Sequence, residues 1–291
     1  MPNYDTNYII DQVKRRASIP TSQNLFTNQK FIVMINDELK TRIVPTLMAL
    51  RDDWYSDYTE YTADGATTTY TIPADAVGNK LKSVTIWDNG KQVRVVPRLN
   101  TNDLQDSLYG FYVENNSIIF YPNPIETNKT IRLSYFKRTD DLVDMSEAGY
   151  ISLIAGNDVT ISTTLPTTFI NGASVQVVNN QNPFNVIWSG TISNIAGSVV
   201  TLSSTPTGVT IGNYLCLQGE TVFPNIPVEM FPLLSQSIVV KCLEALGDDN
   251  GMQSAMANLQ QIEFNCKQTL SPKIDGNPKR MMGKNNISRY I

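Results

Sequence analysis

Four carboxylates fall within eight positions, at Asp140, Asp141, Asp144 and Glu147, and paired carboxylates are what acid–base cleavage of a glycosidic bond requires. No flanking signature supports that chemistry. The 291 residues include no histidine, which removes Ser-His-Asp and Cys-His nucleophile systems and most zinc or iron sites built on imidazole. Patterns of the GxSxG, Walker A and GxGxxG kinds are absent. A solvated loop between folding units accounts for the four acids without catalysis, so the expectation is a non-enzyme with no cofactor and no metal. Asp248, Asp249 and Asn250 lack the alternating oxygens and closing glutamate of a calcium loop and are read as helix caps. Tyr109-Gly110-Phe111-Tyr112 could stack on sugars or bases, yet alternating aromatics in a strand ordinarily pack core and rim.

Cys216, Cys242 and Cys266 are odd in number and widely spaced, neither a disulfide framework nor a zinc pattern, and are expected as small core residues. Sequons at Asn115, Asn128 and Asn286 carry no weight, because Met1 to Pro20 has no signal-peptide core. The apolar stretch from Met230 to Val240 is too short for a membrane span, so the chain reads as cytosolic when made. A net charge of -4 gives no basic excess to grip nucleic acid or an anionic membrane. The last segment departs from that balance. Lys273, Lys279, Arg280, Lys284 and Arg289 face one acid, Asp275, so Ser271 to Ile291 carries +4 and the remainder -8. It is rich in Pro, Gly, Asn and Lys with no apolar period, and is read as an extended docking tail whose Ile274, Met281, Met282, Ile287, Tyr290 and Ile291 can anchor in a partner's grooves.

The elements that would carry these residues follow from periodicity. Asp5 or Thr6 caps a short helix with Ile9 and Val13 on one face. Thr27 caps a longer one, on which Phe31, Ile35, Leu39, Ile43, Leu47, Leu50 and Trp54 form a stripe, with a kink or two abutting helices predicted at Pro45. Short alternating runs begin after Thr59, at Thr67 to Ile72, Leu81 to Trp87 and Val93 to Val96, with an Asn89-Gly90 hairpin, a second at Asn115-Asn116, and a strand at Thr130 to Phe136. Val159-Thr160-Ile161-Ser162 through Pro166 to Gly172 is echoed by Val200-Thr201-Leu202-Ser203 through Pro206 to Gly212 with one residue of slippage, which suggests two related units closing a small barrel or sandwich. Pro227 is placed at a helix start, with Met230, Leu234, Ile238, Cys242 and Ala245 as its stripe and Gly247 as its stop. A second helix carries Met252, Met256, Leu259, Ile262, Cys266 and Leu270.

The resulting fold is α+β: N- and C-terminal helices form one layer, with antiparallel β modules inserted between them. Its expected divisions are N-terminal helices 1–58, a first β module 59–148, a second 149–222, a helical hairpin 223–270 and the tail 271–291.

The order of segments resembles the head-to-tail adaptors of tailed bacteriophages. Leu25-Phe26-Thr27 leads into a helix ending near Arg51-Asp52-Asp53-Trp54-Tyr55, followed by Gly110-Phe111-Tyr112-Val113 and Ile119-Phe120-Tyr121-Pro122-Asn123-Pro124. Gly212-Asn213-Tyr214-Leu215, Ile226-Pro227-Val228-Glu229, Leu243-Glu244-Ala245-Leu246-Gly247-Asp248, Ser271-Pro272-Lys273 and Gly276-Asn277-Pro278-Lys279 resemble the closing pattern. It is similar to neck proteins of podovirus-like and crAss-like phages. The resemblance implies a ring, usually of twelve copies, in the virion neck, assembled in the host cytoplasm. It would bind the portal protein above and a tail or nozzle ring protein below, and line the channel with only transient unspecific contact to passing DNA. A phage tail fibre or glycan-binding surface module is the alternative.

Overall fold

The computed structural model describes residues 4–20, 25–51, 53–101, 108–181 and 183–271. Asp5 opens α1 (Thr6–Arg16) by accepting the Tyr8 N–H at 2.8 Å, and Ile9 and Val13 turn a buried face inward. Thr27 caps α2 (Asn28–Glu38) through the Lys30 N–H at 3.3 Å. Of the two expectations at Pro45, a kink or two abutting helices, the second holds, with a π turn joining the two α segments. Leu39–Ile43 forms a π turn, in which the Val44 N–H reaches back to the Leu39 carbonyl, and α3 (Val44–Leu50) follows with Pro45 in its first turn, where no N–H is needed. Spacing explains this. Phe31, Ile35, Leu39, Ile43 and Leu47 recur every four residues, which drifts by about 40° per step on a 3.6-residue helix. A wider turn cancels part of the drift, and all five stay buried. A proline in an unbroken helix interior would cost about 3 kcal/mol, and restarting the α-helix at Val44 avoids that cost while the stripe stays buried. Because α3 stops at Leu50, Trp54 lies beyond the helix, its Nε1–H donating to the Asn225 carbonyl at 3.2 Å.

At the other end, Pro227 leads into a 3-10 turn, Val228–Met230, and Pro232 takes the first turn of α4 (Phe231–Leu246), which corrects the expected start. Met230, Leu234, Ile238 and Cys242 are buried, but Ala245 is exposed because the last turn of α4 runs past the core. Gly247, at φ 72°, ends α4 in the left-handed conformation glycine adopts without strain. Asp248 then caps α5 (Asp249–Leu270) through the Gly251 N–H at 2.9 Å. On α5 the buried positions are Ala255, Leu259 and Cys266. Met256, expected in the stripe, is exposed because α5 packs chiefly on α4 and buries one narrow face.

Between these helices lie fifteen strands among the described residues. The first seven are β1 (Ser56–Thr62), β2 (Thr69–Thr71), β3 (Ala76–Asp88), β4 (Lys91–Val96), β5 (Gly110–Glu114), β6 (Ser117–Tyr121) and β7 (Thr130–Lys137). They form a four-stranded antiparallel sheet, β1-β7-β3-β4, facing a three-stranded one, β2-β6-β5. Ile131, Leu133 and Tyr135 of β7 all point into the apolar layer between them, with Ile86, Phe111 and Phe120. Asn89 (φ 49°) and Gly90 (φ 75°) turn the β3–β4 hairpin, and Asn115 and Asn116 turn β5–β6.

A second β unit comprises β9 (Gly149–Ala155), β10 (Asp158–Ile161), β11 (Ser174–Val178), β12 (Val186–Ala196), β13 (Val199–Leu202) and β14 (Tyr214–Leu217), closed in the order β10-β13-β12-β11-β14-β9. Exchanging β9, β10, β11 for β12, β13, β14 leaves this order unchanged, so the internal repeat is a pseudo-twofold. Its hydrogen bonds come in matching pairs. Ile161 N–H binds Ser198 O at 2.9 Å as Leu202 N–H binds Asn157 O at 2.8 Å, and Gly172 N–H binds Ile192 O at 2.8 Å as Gly212 N–H binds Ile151 O at 2.9 Å. The offset falls from 41 to 40 between these pairs, which places the slipped residue in the connecting loop.

Candidate functional site

The four clustered acids fall on the strap that joins the units. β8 (Asp141–Leu142) pairs in parallel with β15 (Glu220–Thr221), and Asn36 of α2 brackets Leu142 from the other side. Asn36 Nδ2 donates to Leu142 O at 2.9 Å and Leu142 N–H donates to Asn36 Oδ1 at 2.8 Å. Thr6 adds its hydroxyl to Val143 O at 2.9 Å. Each carboxylate has a structural duty here. Asp141 pairs with Lys40 at 2.6 Å. Asp144 caps the 3-10 turn Met145–Glu147 by accepting the Ser146 N–H at 2.9 Å, and Glu147 Oε2 accepts the Asp144 N–H at 3.2 Å, completing a capping box. Asp140 accepts from Gln176 Nε2 at 2.8 Å, and burial raises its pKa despite that bond. The acids are thus ordered at a junction rather than free in a solvated loop.

A cavity of about 270 Å³ opens beside Asp140, lined by Tyr55, Asp57, Lys137, Arg138 and Asn225 among others. Tyr55 donates its hydroxyl to Asn225 O at 2.7 Å, and burial pushes its pKa upward. No cluster of His, Cys, Asp or Glu among the described residues could hold a metal ion. Cys216, Cys242 and Cys266 are free and buried, and burial raises the pKa of all three, so none is an activated thiolate. Phe111 is core and Tyr109 lies under Arg94 at 4.6 Å, so the aromatic run packs as expected. No helix among the described residues is long and apolar enough to cross a membrane.

Exposed apolar groups and stacked cations also meet on the outer face and edges of the four-stranded sheet. Tyr58 (53% exposed) on β1, with Val93 (63%) and Val95 (57%) on β4, leaves large apolar groups in water at both edges. Between them Arg132 is held over Trp87 at 3.9 Å and over Tyr58 at 4.3 Å, and donates to Glu60 Oε1 through Nε at 2.8 Å and Nη2 at 2.7 Å. Periodicity did not single out these residues, because edge position depends on strand order and Ser56 to Thr62 offers no apolar row. The docking-tail residues Lys273, Ile274, Lys279, Arg280, Met281, Met282, Lys284, Arg289, Tyr290 and Ile291 lie outside the described residues.

No curated protein matches the sequence. Among solved structures, the crystal structure of group B streptococcus pilus 2b backbone protein aligns at 14% identity over 56% of this chain and 83% of that one, with a TM-score of 0.18, too low to bear on the fold. The family described as SU10 adaptor protein matches residues 9–182, from α1 through both sheets and into the barrel. That span is more than half of the chain, which therefore belongs to the SU10 adaptor protein family and is a phage structural protein of adaptor type.

Proposed function

We propose that this chain is a ring subunit of a virion neck, seated between the portal and the tail and lining the path of the DNA. The family match across residues 9–182 carries the reading. The structure supports it in three ways. Helices from both chain ends share one apolar cluster, a suitable platform for the projecting β units. The conspicuous acids all serve structural roles. The net charge of -4 keeps a channel from gripping phosphate, since neutralised phosphates are what make binding tight. Twelve copies, a portal above and a tail or nozzle ring below are parts of the same proposal.

Within it, residues 271–291 are the docking arm, in which five basic groups and a set of apolar anchors follow directly on α5. The test is deletion of Ser271 to Ile291 followed by co-sedimentation with assembled portal. The truncated chain is expected to stay in the supernatant, and wild-type binding should weaken as salt rises if its charges meet an acidic surface. Ring formation undiminished by the deletion refutes the arm.

A further inference from the structure

We propose that neighbouring copies of this chain join through the open edges of the four-stranded sheet, β4 of one copy adding antiparallel to β1 of the next. The inference rests on the ring reading and names its lateral contact. The order β1-β7-β3-β4 leaves β1 and β4 each paired on one side among the described residues. All three pairings within the sheet are antiparallel, so β1 and β4 run in opposite directions. A copy placed alongside by simple rotation therefore lays its β1 against β4 with the alternation intact.

Charge selects this pairing over its rivals. β4 carries Lys91 and Arg94 and no acid; β1 carries Asp57 and Glu60 and no base. Two β4 edges would set base against base and two β1 edges acid against acid, so isologous dimers are disfavoured and the head-to-tail contact that generates rings is favoured. Tyr58, Val93 and Val95 would lose their exposure at the same seam. The contacts already present are ones a partner can replace. Glu60 and Arg132 form a partly exposed pair, Asp57 stands 3.7 Å from Lys137, and Asp57 Oδ1 holds the Tyr58 N–H at 2.8 Å. That local bond and the β4 bulge guard the edges against indiscriminate addition.

The experiment uses the full chain with portal particles in three forms: Lys91→Glu with Arg94→Glu, Asp57→Lys with Glu60→Lys, and all four together. Ring occupancy is read by electron microscopy and folding by thermal melting. Each double reversal is expected to lower occupancy about tenfold, and the fourfold variant, whose edges are complementary again, to recover most of it. A Tyr58→Cys, Val95→Cys chain should also give a ladder of cross-linked multimers when assembled rings are oxidised. Rings that form normally with either double reversal, or that yield no ladder, overturn the edge contact and leave the adaptor reading standing. A wild-type chain that forms no ring on portal particles overturns both.

Discussion

Asp64 shows how one side chain organises a turn. It stands between β1 and β2, where Oδ1 accepts the N–H groups of Ala66 at 2.9 Å and Thr67 at 2.7 Å and Oδ2 accepts the Thr67 hydroxyl at 2.7 Å. These bonds, Thr67's first, hold its pKa at about 2 against an ordinary 3.8. Because the folded value is the lower one, the contribution to stability is complete above about pH 4 and is lost as the pH falls through 2. Carboxyl NMR should find a midpoint near 2 for Asp64; one near 4 would mean the turn is open. The caps at Asp5, Thr27 and Asp248 were legible because each precedes an apolar period. Asp64 precedes none, so its role emerges only once the turn is seen.

Among the elements, α4 is the most deeply held. Leu234 is fully buried in the apolar cluster that α4 shares with α1, α2 and α5. Leu234→Asp should cost about 3–5 kcal/mol, combining a lost apolar contact with a buried carboxylate, and lower the melting temperature accordingly. An unchanged melting curve would place Leu234 outside the core. Helical stripes were readable because apolar spacing reports burial directly. Their local geometry was less so: strict four-residue spacing with Pro45 fits a π turn as well as a kink, and only packing chooses. Met256 and Ala245 fit their stripes by period yet lie exposed, since period does not say how much of a helix is covered. β1 was missed because Ser56 to Thr62 alternates polar with half-buried polar residues and offers no apolar row.

At the scale of the whole chain, the α+β class and the internal repeat were legible in sequence, with barrel or sandwich left open, whereas barrel closure, strand order and with it the open edges were not. Strand order is a long-range property, set by which apolar faces meet. Short guarded edges give a weak lateral contact until many copies are held together on a template. Native mass spectrometry of the purified protein at micromolar concentration is accordingly expected to show monomer. Stable trimers there would favour a fibre.

The strap formed by β8 and β15 bears on the entropy of the chain. Leu142 and Thr221 are 79 positions apart, yet pair directly. Closing a loop of that length in a flexible chain costs about 4 kcal/mol. Here the barrel supplies the closure, because β9 and β14 pair through Tyr150 with Tyr214 and Gly149 with Leu215, so its two ends leave side by side. The folded barrel is thus a non-covalent staple. Its melting would release the strap, and the capping of α1 on Val143 and Val222 would loosen with it.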